Sequence, residues 1–147
     1  MDERELPTIW ENRVRFEETD KQDVVFYANY VTFQDETASQ FFRDIGYSYE
    51  AIEDAGWDFH VVNVDLDYRG QATFGDELEH GFRVATIGES SMTSEYVGRR
   101  QDDGTVLVEG TVTHVAVDSE TRRGTRRGCA WGEAIAEFQG QPPENTD

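Results

Sequence analysis

The sequence predicts an α+β fold, an antiparallel sheet with one face covered by a long helix, and three observations carry that prediction. Apolar residues recur at spacings of three, four or seven over residues 27–45, the repeat of one helix face. Beyond residue 60 they alternate singly with polar residues, the period of half-buried strands. The order is a short strand, a long helix, a short helix and then about four strands, so the long helix is needed to cover the sheet.

Each element has its own signal. Arg13-Val14-Arg15-Phe16-Glu17 alternates and reads as a short strand with one wet face. A loop follows at Glu18–Phe26. Tyr27, Tyr30, Val31, Ala38, Phe41, Phe42 and Ile45 then form the helical face, with Gly46 placed to cap its end. At about 1.5 Å per residue such a helix is roughly 27 Å long. Ser48 is the expected N-cap of a short helix over Tyr49–Ala55, and Gly56 follows it. Val62, Val64, Leu66 and Tyr68 alternate with Asn63, Asp65 and Asp67; Leu78, Phe82 and Val84 do likewise, as do Met92, Ser94 and Tyr96. Thr105–Val117 is partly apolar on both faces, as a central strand is. Gly75-Asp76, Gly88-Glu89 and Asp102-Asp103-Gly104 supply the turns. Trp131–Phe138 is amphipathic and fits a short helix or an edge strand. Residues 1–8 and 139–147 lack periodicity, hold all three prolines and read as loose tails. The expectation is one domain over 1–147 with an ordered core of about 9–138.

Composition narrows the function classes. The chain has 147 residues, with 31 acids against 13 bases, a net charge of −18 and a pI near 4.3. A phosphate polymer is repelled by such a surface, so nucleic acid is not an expected partner. The single cysteine, Cys129, allows no internal disulfide, and no apolar run approaches the roughly 20 residues of a membrane span. The first residues, MDERELPT, are unlike a targeting leader, and the expected location is cytoplasmic. Only Lys21 among the bases is lysine; the other 12 are arginine. Nine Phe, six Tyr and three Trp supply a core beneath the carboxylates. Self-repulsion of that surface is screened by salt, with a Debye length of about 3 Å at 1 M. The composition is read as that of a halophilic protein from a high-salt cytoplasm.

Most catalytic constellations are missing. There is no G-x-S-x-G elbow, P-loop or dinucleotide fingerprint. His60, His80 and His114 are far apart and form no metal-binding pair, and Cys129 reads as an incidental thiol. The informative stretch is Glu18-Thr19-Asp20, followed by Val24-Val25-Phe26 and the start of the long helix. It puts Asp20 near backbone N–H groups that have no intrahelical partner. Such donors hold a developing oxyanion, and a nearby carboxylate acts as base or nucleophile. An acidic loop with Asp20 as a simple cap fits the same residues.

Glu18-Thr19-Asp20-x-x-x-Val24-Val25-Phe26-Tyr27-x-Asn29-Tyr30, with Phe33-x-Asp35, resembles the signature of hotdog-fold acyl-CoA thioesterases. The resemblance is to the 4-hydroxybenzoyl-CoA and Tol–Pal-associated branch. Tyr68 with Phe74-Gly75-Asp76-Glu77-Leu78, Ser90-Ser91-Met92 and Thr113-His114-Val115-Ala116-Val117-Asp118 continue it in order. It implies a hotdog fold, a sheet wrapped around one long central helix. It also implies Asp20 as the catalytic carboxylate and the Tyr27 backbone N–H as donor to the thioester carbonyl. Asp35 matches an acidic helix position that is structural or interfacial. Asp23 stands where many relatives have glycine, which adds a carboxylate; two such groups repel if both lose solvent.

The family's basic cluster is replaced by Gly88-Glu89-Ser90, so the phosphates of CoA need another partner. Arg122, Arg123, Arg126 and Arg127 fall within six residues, and arginine forks suit phosphates. With Ser90 they are the candidate CoA contacts; neutralising carboxylates or bridging subunits are the other uses. The function implied is hydrolysis of an acyl-CoA to acid and free CoA, with no cofactor and no metal, by a homodimer or homotetramer with joined sheets. A noncatalytic acyl-CoA or acyl-carrier-protein binding module is the alternative. Phe26, Trp57 and Phe59 are apolar-pocket candidates that fit a plain core equally well.

Overall fold

The computed structural model describes residues 6–125, 131–140 and 142–145. Arg126, Arg127 and Cys129 lie outside the described residues. In chain order the elements are β1 (Thr8–Arg13), a 3-10 turn (Phe16–Glu18), α1 (Asn29–Asp44), α2 (Tyr49–Asp54), β2 (Trp57–Tyr68), β3 (Glu77–Ile87), β4 (Ser91–Arg100), β5 (Val106–Asp118), α3 (Trp131–Gln139) and β6 (Glu144–Asn145). Five strands pair antiparallel in the order β1-β3-β4-β5-β2. The two residues of β6 run parallel to the end of β3. Trp131–Phe138, open between helix and strand in the sequence, is helical.

One face of the sheet carries α1. Phe41 meets Phe82 at 5.1 Å between ring centroids, and Phe42 stacks on Phe59 at 4.4 Å. Phe33 contacts Trp10 and His80 at the other end. Phe33, Phe41 and Phe82 are fully buried, and truncating one to alanine costs about 3–5 kcal/mol. The candidate pocket residues Trp57 and Phe59 therefore belong to the core, whereas Phe26 is exposed.

Four boundaries differ from the sequence reading, each for a local reason. The first strand ends at Arg13, and residues 16–18 close a turn because Glu18 caps it. Its carboxylate accepts the Arg15 N–H at 2.8 Å and the Arg15 guanidinium at 3.0 Å. The helix starts at Asn29 rather than Tyr27, because the amides at its opening bond three residues back, as in a turn: Asn29 to Phe26 at 2.8 Å and Tyr30 to Tyr27 at 3.2 Å. Tyr27 and Val31, assigned to its apolar face, are exposed. Order also reaches into both tails. Leu6 is buried over Gly81, where an added Cβ would stand 2.9 Å from it, and β6 pairs with β3. A lone leucine and a two-residue strand leave no periodicity to read.

Two histidines lie in the core. His80 donates through Nε2 to Asn12 Oδ1 at 2.6 Å and accepts the Tyr96 hydroxyl at Nδ1 at 2.8 Å. Burial pushes His80 down from 6.5 to about 3 and His114 down to about 4. The unfolded chain takes up these protons below pH 6.5 while the folded chain refuses them. Stability is therefore full above pH 6.5 and falls as pH drops toward 4. At pH 5 each histidine should cost roughly 2 kcal/mol, at about 1.4 kcal/mol per pH unit. The midpoint of chemical denaturation should drop between pH 7 and pH 5, and His114→Phe should reduce that drop.

Candidate active site

The loop before α1 is pinned at both ends. Glu18 is buried, and its carbonyl accepts both the Phe26 N–H and the Asn29 side-chain amide at 2.9 Å. Thr19 and Val25 form a β-bridge. Between them Asp20 N–H donates to the Val24 carbonyl and Asp23 N–H donates back to the Asp20 carbonyl, both at 2.9 Å. Asp23 has φ +66°, the left-handed conformation that glycine adopts freely and aspartate tolerates. The turn is thus the one a glycine makes, and the Asp23 side chain is exposed. The loop is also tied to residues 69–76: Val25 N–H donates to Ala72 at 2.9 Å, and the Thr73 hydroxyl donates to the Asp23 carbonyl at 2.9 Å.

This anchoring leaves two kinds of group open. Asp20 is half-buried; its Oδ1 accepts the Gln22 N–H at 2.8 Å, and Oδ2 has no hydrogen-bond partner among the described residues. The backbone N–H groups of Tyr27 and Ala28 likewise have no acceptor among the described residues. The Tyr27 carbonyl, by contrast, accepts the Tyr30 N–H at 3.2 Å and the Tyr68 hydroxyl at 3.1 Å. Tyr68, on β2, escaped notice as a site residue because its hydroxyl reaches a peptide 41 positions away. Phe26, Tyr27 and Tyr68 form an exposed aromatic rim, with centroids 4.9 and 6.2 Å apart. A half-free carboxylate and unpaired amides at a helix start are the parts that acyl transfer needs.

The arginine-rich segment forms a separate group. The Asp118 carboxylate accepts the N–H groups of Glu120 and Thr121, and Asp118 N–H donates to the Arg123 carbonyl at 2.8 Å. Gly124 bridges to Val117, and Ser90 with Glu89, Gly124 and Thr125 lines a cleft of about 280 Å³. Ser90 lies against the Gly124 end of this turn, whereas the Arg122 guanidinium reaches Asp58 at 3.2 Å and His60 at 3.0 Å on β2. They are not beside Asp20. The Asp20 loop touches Tyr68, which pairs with Val108, whereas the arginine turn follows Asp118 at the far end of β5. Ten residues of strand separate them, about 33 Å. Among the described residues no three histidine, cysteine or acidic side chains gather as a metal site. No helix there is long and apolar enough to cross a membrane.

Comparison with known proteins agrees with this architecture. The model of a family described as the thioesterase-like superfamily matches residues 14–140. The acyl-CoA thioester hydrolase YbgC of Escherichia coli O6:H1 is 29% identical over 111 residues, covering 74% of this chain and 81% of its own. A 1,4-dihydroxy-2-naphthoyl-CoA thioesterase of Synechocystis superposes with a TM-score of 0.80 at 18% identity, over 88% of this chain and 95% of its own. Staphylococcus aureus SAV2348, solved in complex with CoA, gives 0.84 at 17% identity, over 97% and 90%.

Proposed function

The chain belongs to the thioesterase-like superfamily, and on that footing we propose that it hydrolyses acyl-CoA thioesters in a hotdog fold, using Asp20 and the backbone N–H groups of Tyr27 and Ala28 just before α1. The thioester carbonyl oxygen accepts from the Tyr27 N–H, which has no other acceptor among the described residues. Asp20, through its unpartnered Oδ2, either takes a proton from a water whose oxygen bonds the carbonyl carbon, or bonds that carbon itself and forms an anhydride that water then hydrolyses. The C–S bond breaks, the acid leaves, and the CoA thiolate takes up a proton. CoA enters as part of the substrate; the arginines proposed to hold its phosphates, Arg122 and Arg123 with Ser90, Arg126 and Arg127, lie about 33 Å from Asp20 within one chain, so they are proposed to serve the site of a second copy in a homodimer or homotetramer. No cofactor or metal is needed in this scheme.

The observation that carries the reading is the pairing of a free carboxylate oxygen with unpaired helix-start amides on one anchored loop. The E. coli relative is named an acyl-CoA thioester hydrolase and one structural neighbour binds CoA, which supports the same chemistry. Thiol release from a panel of aromatic, short and medium-chain acyl-CoAs in molar salt tests it. At least one member should be turned over; a flat panel would leave a binding module. With a net charge of −18, the protein is proposed to be halophilic and cytoplasmic. Its melting temperature should rise steadily from low salt to molar salt, and a flat curve would contradict this.

A further inference from the structure

The peptide between Tyr27 and Ala28 is held from its carbonyl side by a long-range contact. The Tyr27 carbonyl accepts two donors, the Tyr30 N–H at 3.2 Å and the Tyr68 hydroxyl at 3.1 Å. That carbonyl and the Ala28 N–H belong to one rigid peptide plane. A donor on its oxygen therefore fixes the direction of the Ala28 N–H. It also polarises the amide and strengthens the N–H as a donor, by about 10–30% per bond. Ala28 has φ −66° and ψ −23°, a helical conformation in which successive N–H groups point along one axis. The N–H groups of Tyr27 and Ala28, both without an acceptor among the described residues, thus aim at the same place.

Tyr68 is well placed to hold that peptide. It is the last residue of β2 and pairs with Val108 of β5, so the sheet fixes its backbone independently of the loop it touches. Its ring meets Tyr30 at 5.7 Å and Tyr27 at 6.2 Å, edge-on in both cases. Partial loss of solvent, and then the neighbouring Tyr27, raise its hydroxyl above its ordinary value near 10, so it remains a donor at neutral pH.

The loops around it are fastened by other contacts. Arg69 N–H and Gly70 N–H donate to the Leu107 carbonyl at 2.8 and 3.1 Å. The Arg100 guanidinium donates to the Gln71 carbonyl at 2.6 Å, and the Tyr30 hydroxyl accepts the Ala72 N–H at 3.3 Å. Ala72 and Thr73 in turn hold Val25 and Asp23. The Asp20 loop is therefore anchored without the Tyr68 hydroxyl, and what that hydroxyl adds is control of one peptide.

We infer that Tyr68 is a positioning residue of the proposed hydrolase, whose hydroxyl sets the Tyr27–Ala28 peptide so that the Ala28 N–H joins the Tyr27 N–H in holding the carbonyl oxygen as negative charge develops on it. The inference rests on the acyl-CoA hydrolase reading. Tyr68 exchanges no proton with the substrate and acts only through the peptide. Donors to that oxygen matter more in the transition state than in the ground state, so weakening them lowers kcat and spares KM.

Tyr68→Phe keeps both ring contacts and removes only the hydroxyl. For an acyl-CoA that the wild type hydrolyses, it should lower kcat about 3–10-fold, with KM within about twofold and the melting temperature unchanged. A second readout is the infrared stretch of an isotope-labelled thioester carbonyl bound to the Asp20→Asn protein, where turnover is slow. Adding Tyr68→Phe should move that band to higher frequency, because weaker donors leave the carbonyl more double-bond character. An unchanged kcat with an unmoved band would overturn the inference. So would a loss confined to KM or to the melting temperature with the band unmoved, since a simple tie between β2 and the loop gives that result. A wild type that hydrolyses no acyl-CoA fails earlier, at the hydrolase reading, and removes the inference with it.

Discussion

Asp20→Asn is expected to lower kcat for acyl-CoA hydrolysis by about 10²–10⁴-fold while CoA affinity stays within about threefold. Asparagine keeps an oxygen to accept the Gln22 N–H, so the turn that carries it survives. It loses the capacity to take a proton or to attack. No described residue of the arginine turn contacts Asp20 within the chain, so the proposed CoA contacts are untouched. The two readouts are thiol release and calorimetric titration with CoA. Equal loss in both would mean a folding defect, and unchanged turnover would remove Asp20 from the chemistry. A binding module would have no turnover to lose.

The second large effect is expected at the amide rather than at a side chain. Tyr27→Pro deletes the backbone N–H that the carbonyl oxygen is proposed to use. Loss of one such donor costs about 2.7–4 kcal/mol, or 10²–10³-fold in kcat. The substitution breaks no internal hydrogen bond, because the Tyr27 N–H has none among the described residues. Tyr27 is the second residue of the turn closed by the Asn29 N–H on the Phe26 carbonyl, a position that favours proline, so the melting temperature should move little. Tyr27→Ala retains the N–H and should keep most of the rate. If the proline and alanine variants lose equally, the side chain matters and the amide does not.

How far the sequence carried this account depends on the range of each interaction. A helix over most of 27–45, Ser48 as a cap and the strands from Val62 to Val117 were legible, because period and capping are local signals, although β2 begins five residues earlier, at Trp57. The Ser48 hydroxyl does accept the Ala51 N–H, at 3.3 Å. That Asp20 lies on the loop leading into the helix was legible in the order of the residues. Two features were not. Glu18 looked like the first acid of an acidic turn, but its carboxylate is buried against Arg15 and closes the 3-10 turn. That depends on where the chain packs, not on spacing. Tyr68 looked like an ordinary apolar position of a strand, and only tertiary structure brings its hydroxyl to the Tyr27 carbonyl. Asp23 shows the opposite case: the side chain differs from glycine, yet the backbone conformation is the same.

The most direct test is a structure of the protein with an acyl-CoA analogue in which a methylene replaces the thioester sulfur. The account predicts the analogue's carbonyl oxygen 2.7–3.1 Å from the Tyr27 nitrogen, with an Asp20 carboxylate oxygen about 3–3.5 Å from the carbonyl carbon or one water away from it. A carbonyl seated elsewhere, with the Asp20 carboxylate turned into solvent, would contradict it.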